Sequence, residues 1–382
     1  MKTPIKTTRL LALFTCLLFV SCSREENLYD EPVHAVSARA SKNTVGPELS
    51  VPALKTRLPN GIMFNDFPLD HRAVVEPSEC GTTPFDDVID ASISGNLDAL
   101  GAEWFDLYSQ MNFLFTITDE SAQFFGSQGQ YTNLVKKITR SLEKFWDMPD
   151  EVAVRGQHNS TLDDKQKIID ILNFWFIVEP GEPEFLADLF VDFINPQSTF
   201  LIETPLLSFD GFAIALDGFL GQGDLIVIGD GLVELASEAG VQDKVVWYGI
   251  MAHEWAHQVQ FNNFDDWYPD GPADNAPEAT RTTELEADFF TGYYLTHKKG
   301  AAYNWQGVED FLELFFNIGD CSFESSGHHG TPLQRMEAAI QGFQLAKRAQ
   351  KNGHILSQNE VHEVFLNKLP GIIGVGEAAF LQ

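Results

Sequence analysis

The stretch His253-Glu254-Trp255-Ala256-His257 constrains the fold more than any other part of the chain. Residues four apart share one face of a helix. Val245, Val246, Trp247, Ile250, Met251, Val259 and Phe261 surround the stretch with apolar side chains, and no Pro or Gly interrupts 251–261. That spacing predicts a helix apolar nearly all round, with Asp243 offered as its N-cap. Two imidazoles and a carboxylate are costly to bury there without partners. A metal ion resolves the cost. His253 and His257 can grip one zinc, and Glu254 can reach water beside it. The competing picture, a surface helix with two solvated histidines, does not suit the apolar flanks.

A catalytic zinc needs a third protein ligand. Downstream, Thr283-Glu284-Leu285-Glu286-Ala287-Asp288 puts Glu284 and Asp288 on one helical face, with Leu285, Phe289 and Phe290 supplying an apolar side. Glu284 is the candidate ligand. Asp288, one turn on, is placed to accept a hydrogen bond from a ligand histidine and so fix its tautomer. The alternative is that Glu284, Glu286 and Asp288 form a solvated acidic face. Further on, Gly327-His328-His329-Gly330-Thr331-Pro332 reads as a loop entering a helix at about Pro332, amphipathic through Ala346. Taken alone, that segment reads as an ordinary surface loop.

Together these three segments resemble the gluzincin metallopeptidases, in particular the bacterial neutral zinc metallopeptidases and, distantly, the CAAX-type membrane proteases. His253-Glu254-Trp255-Ala256-His257-Gln258-Val259-Gln260 looks like their H-E-x-G-H-x-V-Q, with Ala256 where Gly is common. Glu284-Leu285-Glu286-Ala287-Asp288 looks like E-L-Q-A-D, and His329-Gly330 through Gln334-Arg335 looks like H-G-x-x-x-Q-R. The likeness spans about 243–345 and does not reach the first 200 residues. It implies zinc on His253, His257 and Glu284, Asp288 behind a ligand, and Glu254 as general base in peptide hydrolysis. In that reading His329 stabilises the oxyanion and Arg335 is a nearby positive or structural group.

The formal charge of −30 disfavours nucleic acid and anionic membrane surfaces as partners. Lys2, Lys6 and Arg9 precede a short apolar stretch ending in Ser21-Cys22, which predicts a signal peptide over 1–21. Leu18 through Cys22 resembles a bacterial lipobox. Cys22 would then carry lipid, and the protein would be an outer-membrane lipoprotein, its only membrane contact that anchor. Cys80 and Cys321 remain as an even pair able to form a disulfide in an oxidising compartment.

Residues 22–85 are rich in Pro, Ser, Thr and charge and read as an arm. From about 86 helical spacing begins, over Leu97–Met111, Tyr131–Phe145, Lys165–Phe176 and Glu184–Phe193. Asp224-Leu225-Ile226-Val227-Ile228-Gly229 is the clearest strand, and Phe212–Leu216 is offered as its partner. That strand is the expected sheet edge for an extended substrate, or else an ordinary core strand. His34, His71, His158, His297, His354 and His362 lack ligand spacing and read as solvated or capping. The expected architecture is α+β, a mostly helical zincin-like domain over 86–382 with a small sheet beside the active-site helix and its core at 224–345. The expected partner is a peptide or protein substrate. The rival is a non-catalytic surface protein, or an outer-membrane assembly factor or chaperone, that retains a zinc site.

Overall fold

Side-chain caps fix where most of the long helices begin. The computed structural model describes residues 51–56, 84–216, 223–304, 306–310, 312 and 330–380. After strand β1 (Lys55–Thr56) come α1 (Pro84–Ile93) and α2 (Ala99–Thr118), whose N-cap Asp98 accepts from the Gly101 N–H. Next are α3 (Thr132–Trp146), β2 (Val152–Gln157), α4 (Lys165–Trp175) and β3 (Phe176–Ile177). Asp164 caps α4 through the N–H groups of Gln166 and Lys167. Helix α5 (Glu182–Asp188) runs into a π-helical turn, Leu189–Ile194. Then follow α6 (Thr199–Glu203), β4 (Gly211–Ile214), β5 (Asp224–Gly229), α7 (Asp230–Glu238), α8 (Asp243–Trp267) and α9 (Ala276–Thr296). The last described helices are α10 (Pro332–Ala349), started by a Thr331/Gln334 capping box, and α11 (Gln358–Phe380).

The architecture is α+β and mostly helical, as expected. All four early helices expected from apolar spacing form. Helix α8 also forms, starting at Asp243 itself. Its N-cap is Gln242, which makes no side-chain capping bond. Asp243 instead lies in the first turn, where a negative charge meets the positive helix end, and its carboxylate accepts the Tyr131 hydroxyl.

The main sheet has three strands in the order β2-β5-β4, with β2 parallel and β4 antiparallel to β5. The expected partnership of 212–216 with 224–229 is thus present as β4–β5. The expectation that 224–229 is an edge is corrected: β5 is the central strand. Its side chains show why. Leu225 and Val227 enter one hydrophobic core, with α2 and α4, while Ile226 and Ile228 enter the other, with α8 and α9. A strand buried on both faces reads as an unbroken apolar run. Among the described residues the edges are β2 and β4, and β4 is the edge packed on α8. Gln258 of α8 ties this join, donating to the carbonyls of Leu225 (2.9 Å) and Ile214 (3.3 Å).

Helices α9 and α10 cross so closely that side chains are excluded. A Cβ on Gly292 would lie 2.2 Å from the Ala339 carbonyl oxygen, and one on Gly342 would lie 2.0 Å from that of Phe289. Part of the arm is docked as well, since Lys55 and Thr56 pair antiparallel with Ile177 and Phe176. Cys22, Cys80, Cys321, His328 and His329 lie outside the described residues, as does the whole signal segment. No helix among the described residues is long and apolar enough to cross a membrane.

Candidate metal centre

Every residue of α8 from Val245 through Gln260 is buried, so the motif helix is enclosed all round. His253 and His257 project from one face toward Glu284 on α9, and these three could hold a metal ion. The Nε2 atoms of the two histidines are 3.1 Å apart. Glu284 Oε2 is 3.2 Å from His253 Nε2, and Oε1 is 3.3 Å from His257 Nε2.

The tautomers follow from what stands behind each ring. His253 Nδ1 is 2.9 Å from Asp288 Oδ1. Arg335 grips both oxygens of Asp288, Nε to Oδ2 at 2.7 Å and a terminal nitrogen to Oδ1 at 2.8 Å. A carboxylate held that way accepts, and its position favours the His253 tautomer with the proton on Nδ1. His257 Nδ1 is 2.8 Å from Gln260 Oε1. The Gln260 amide is oriented by its NH2 group, which donates to the Thr283 carbonyl (2.8 Å) and Glu286 Oε2 (2.9 Å), both acceptors. Its oxygen therefore faces His257, whose proton also sits on Nδ1. Both Nε2 lone pairs then point at one spot, with a carboxylate beside them.

Lone pairs at this separation repel unless a cation or proton lies between them. Four tetrahedral donors on zinc, at bonds of about 2.0–2.1 Å, stand about 3.3–3.4 Å apart. The observed separations are within a few tenths of an ångström of that, so the three residues fit such an ion. Glu254, next along α8, is fully buried, and neither carboxylate oxygen has a hydrogen-bond partner among the described residues. Burial pushes its carboxyl up to about 7; Glu284 adds to the rise, while His253, His257 and Arg335 oppose it. The start of β4 stands beside Glu254, where a Cβ on Gly211 would lie 3.9 Å from Glu254 Oε1.

The structure thus brings together His253, Glu254, His257, Glu284, Asp288 and Arg335. Arg335 is fully buried, paired with Asp288 and 4.0 Å from Glu284 Oε2. The acidic face proposed as an alternative for Glu284, Glu286 and Asp288 is absent, since all three are buried. Of the histidines read as solvated or capping, His362 is corrected, since it lies inside α11 and is buried, while His158 and His297 are buried but do stand at helix ends, as N-cap of the 3-10 turn Asn159–Asp163 and C-cap of α9. His158 is buried, 2.7 Å from Asp230 Oδ2 and stacked on Phe124. His297 is buried against the His354 carbonyl, and His362 against Glu286 at 2.6 Å. Sequence reasoning missed Gln260, Tyr268, His362 and the role of Glu286. Only Gln260 carried a signal, lying one turn beyond His257 on the same helix. Compared with known proteins, the chain matches no protein family, no curated protein and no solved structure.

Proposed function

We propose that the protein is a zinc-dependent peptidase. The observation that carries this reading is the Glu254 carboxylate, buried without a hydrogen-bond partner among the described residues, beside three convergent donor residues. A structural metal site has no use for such a group. Zinc held by His253, His257 and Glu284 would supply Lewis-acid polarisation of an acyl carbonyl and activation of water. Glu254 is placed to take the proton of the attacking water and return it to the leaving amine. Asp288 and Gln260 hold both imidazoles with Nε2 toward the ion. A peptide is favoured over a small ester or amide by the likeness of the three sequence motifs to those of gluzincin metallopeptidases.

The test is Glu254→Gln, which keeps size but cannot accept the proton. Zinc content should stay near that of the wild type, while hydrolysis of a broad peptide library falls by about 10²–10⁴-fold. Cleavage at the wild-type rate by the variant would remove Glu254 from the mechanism. A wild-type protein that holds zinc and cleaves nothing would favour a binding protein or assembly factor.

A further inference from the structure

A second polar chain runs away from the metal centre, opposite to Asp288 and Arg335. It starts at His257 Nδ1 and passes through Gln260 to Glu286 Oε2. Glu286 is fully buried and takes two further donors, the Tyr268 hydroxyl at 2.6 Å and His362 Nδ1 at 2.6 Å. Burial and the nearby Glu286 charge push the Tyr268 phenol well above its ordinary value, so it stays a donor. His362 belongs to α11 and is itself clamped. Trp267 stacks flat on its ring at 4.2 Å, and Tyr268 meets it edge-on at 5.4 Å. Trp267 is held in turn by its indole N–H donating to Asn359 Oδ1 at 2.7 Å.

The bonds about Gln260 take their direction from the Thr283 carbonyl, which can only accept, so the amide turns its NH2 group toward it and toward Glu286. The amide oxygen then faces His257, which must carry its proton on Nδ1 and present a bare Nε2. An amide that loses Glu286 keeps only the Thr283 carbonyl, so rotating by half a turn to offer N–H to His257 then costs one hydrogen bond instead of two. That rotation would favour the other tautomer, with a proton on the nitrogen that faces the ion. A residue on the last described helix therefore bears on the chemistry of one on α8.

We propose that His362, Glu286 and Gln260 form a positioning relay that locks His257 in its metal-binding tautomer, which makes α11 part of the metal centre. The inference rests on reading His253, His257 and Glu284 as a metal site. None of the three relay residues touches the ion; each acts through the next.

The experiment measures zinc affinity of the full mature chain by chelator competition, with Co²⁺ as a visible-spectrum probe of the coordination. Gln260→Leu should weaken zinc about 10–100-fold and alter the cobalt spectrum. His362→Leu should weaken it by less, about 3–10-fold. His362→Asn, which keeps a donor near the Nδ1 position, should restore affinity. The double variant Gln260→Leu/His362→Leu should bind no more weakly than Gln260→Leu alone, because His362 acts only through Gln260. If Gln260→Leu does not fold, the His362 pair decides. A His362→Leu protein that loses thermal stability but keeps wild-type affinity and cobalt spectrum overturns the relay and leaves the metal site standing. A folded wild type that binds neither ion overturns both.

Discussion

What donates to a carboxylate decides what it can do. Four carboxylates of this protein sort on that basis. Asp288 is saturated by Arg335 and serves only to orient His253. Glu286 takes three donors and is spent on the relay. Asp98 takes the Gly101 N–H at 2.7 Å and the Ser198 hydroxyl at 2.9 Å, and joins α2 to α6. Glu254 takes none among the described residues, which is why it is the one proposed as general base. The contrast is measurable at Asp98. Partial burial would raise its carboxyl, but bonds from Gly101, Ser198, Phe200 and Leu100 prevail and hold it below the ordinary range. A depressed carboxyl stabilises the fold above its unfolded value and loses that contribution as pH falls through the folded one. Asp98→Ala should therefore cost about 1–2 kcal/mol at neutral pH, and the gap to wild type should close below about pH 4. Urea unfolding of both proteins across that range is the check, and a pH-independent gap would contradict it.

At the scale of elements, the site is a matter of how α8, α9, α10 and α11 meet. Gly292 and Gly342 let α9 and α10 touch main chain to main chain, and that contact sets the reach of Arg335 to Asp288. Gly292→Ala should force the pair apart, costing about 1–3 kcal/mol and weakening zinc binding as Arg335 withdraws. A variant with unchanged melting temperature and zinc affinity would show that the crossing is not so tight. Helices α8 and α9 were legible in the sequence because an apolar run and an i, i+4 carboxylate pair are local signals. The lack of alternation along Leu225–Ile228 is the sequence signal for the central position of β5, and it decides for the core strand over the substrate-binding edge, the two readings the sequence left open. Strand β2 carries no clear signal in the sequence, because Arg155 and Gly156 interrupt its apolar residues. The hydrogen atom of Gly156 is needed where a Cβ would meet the Phe124 carbonyl oxygen at 2.6 Å. The relay was not legible at all. His362 gains its partner only when α11 docks across α9, and no spacing in the chain records that event.

At the scale of the whole molecule, ligands come from helices that the unfolded chain does not hold together, so metal binding and folding are linked. An ion at about a thousand times its Kd stabilises the native state by about 4 kcal/mol. A chelator should lower the melting temperature of the wild type by about 5–10 °C and leave His257→Ala unmoved. Equal responses of the two proteins would contradict the linkage. The mixed sheet has a consequence in time. Strands β4 and β5 are joined by residues 215–223, whereas β2 reaches β5 only across residues 158–223. Taken as flexible loops, the longer closure costs about 2 kcal/mol more. Short antiparallel ladders form in about 1–10 μs, while parallel pairing across a long crossover is far slower. The sheet is thus expected to assemble from its α8 side outward, the β4–β5 edge on the fast clock and the β2–β5 edge on the slow one.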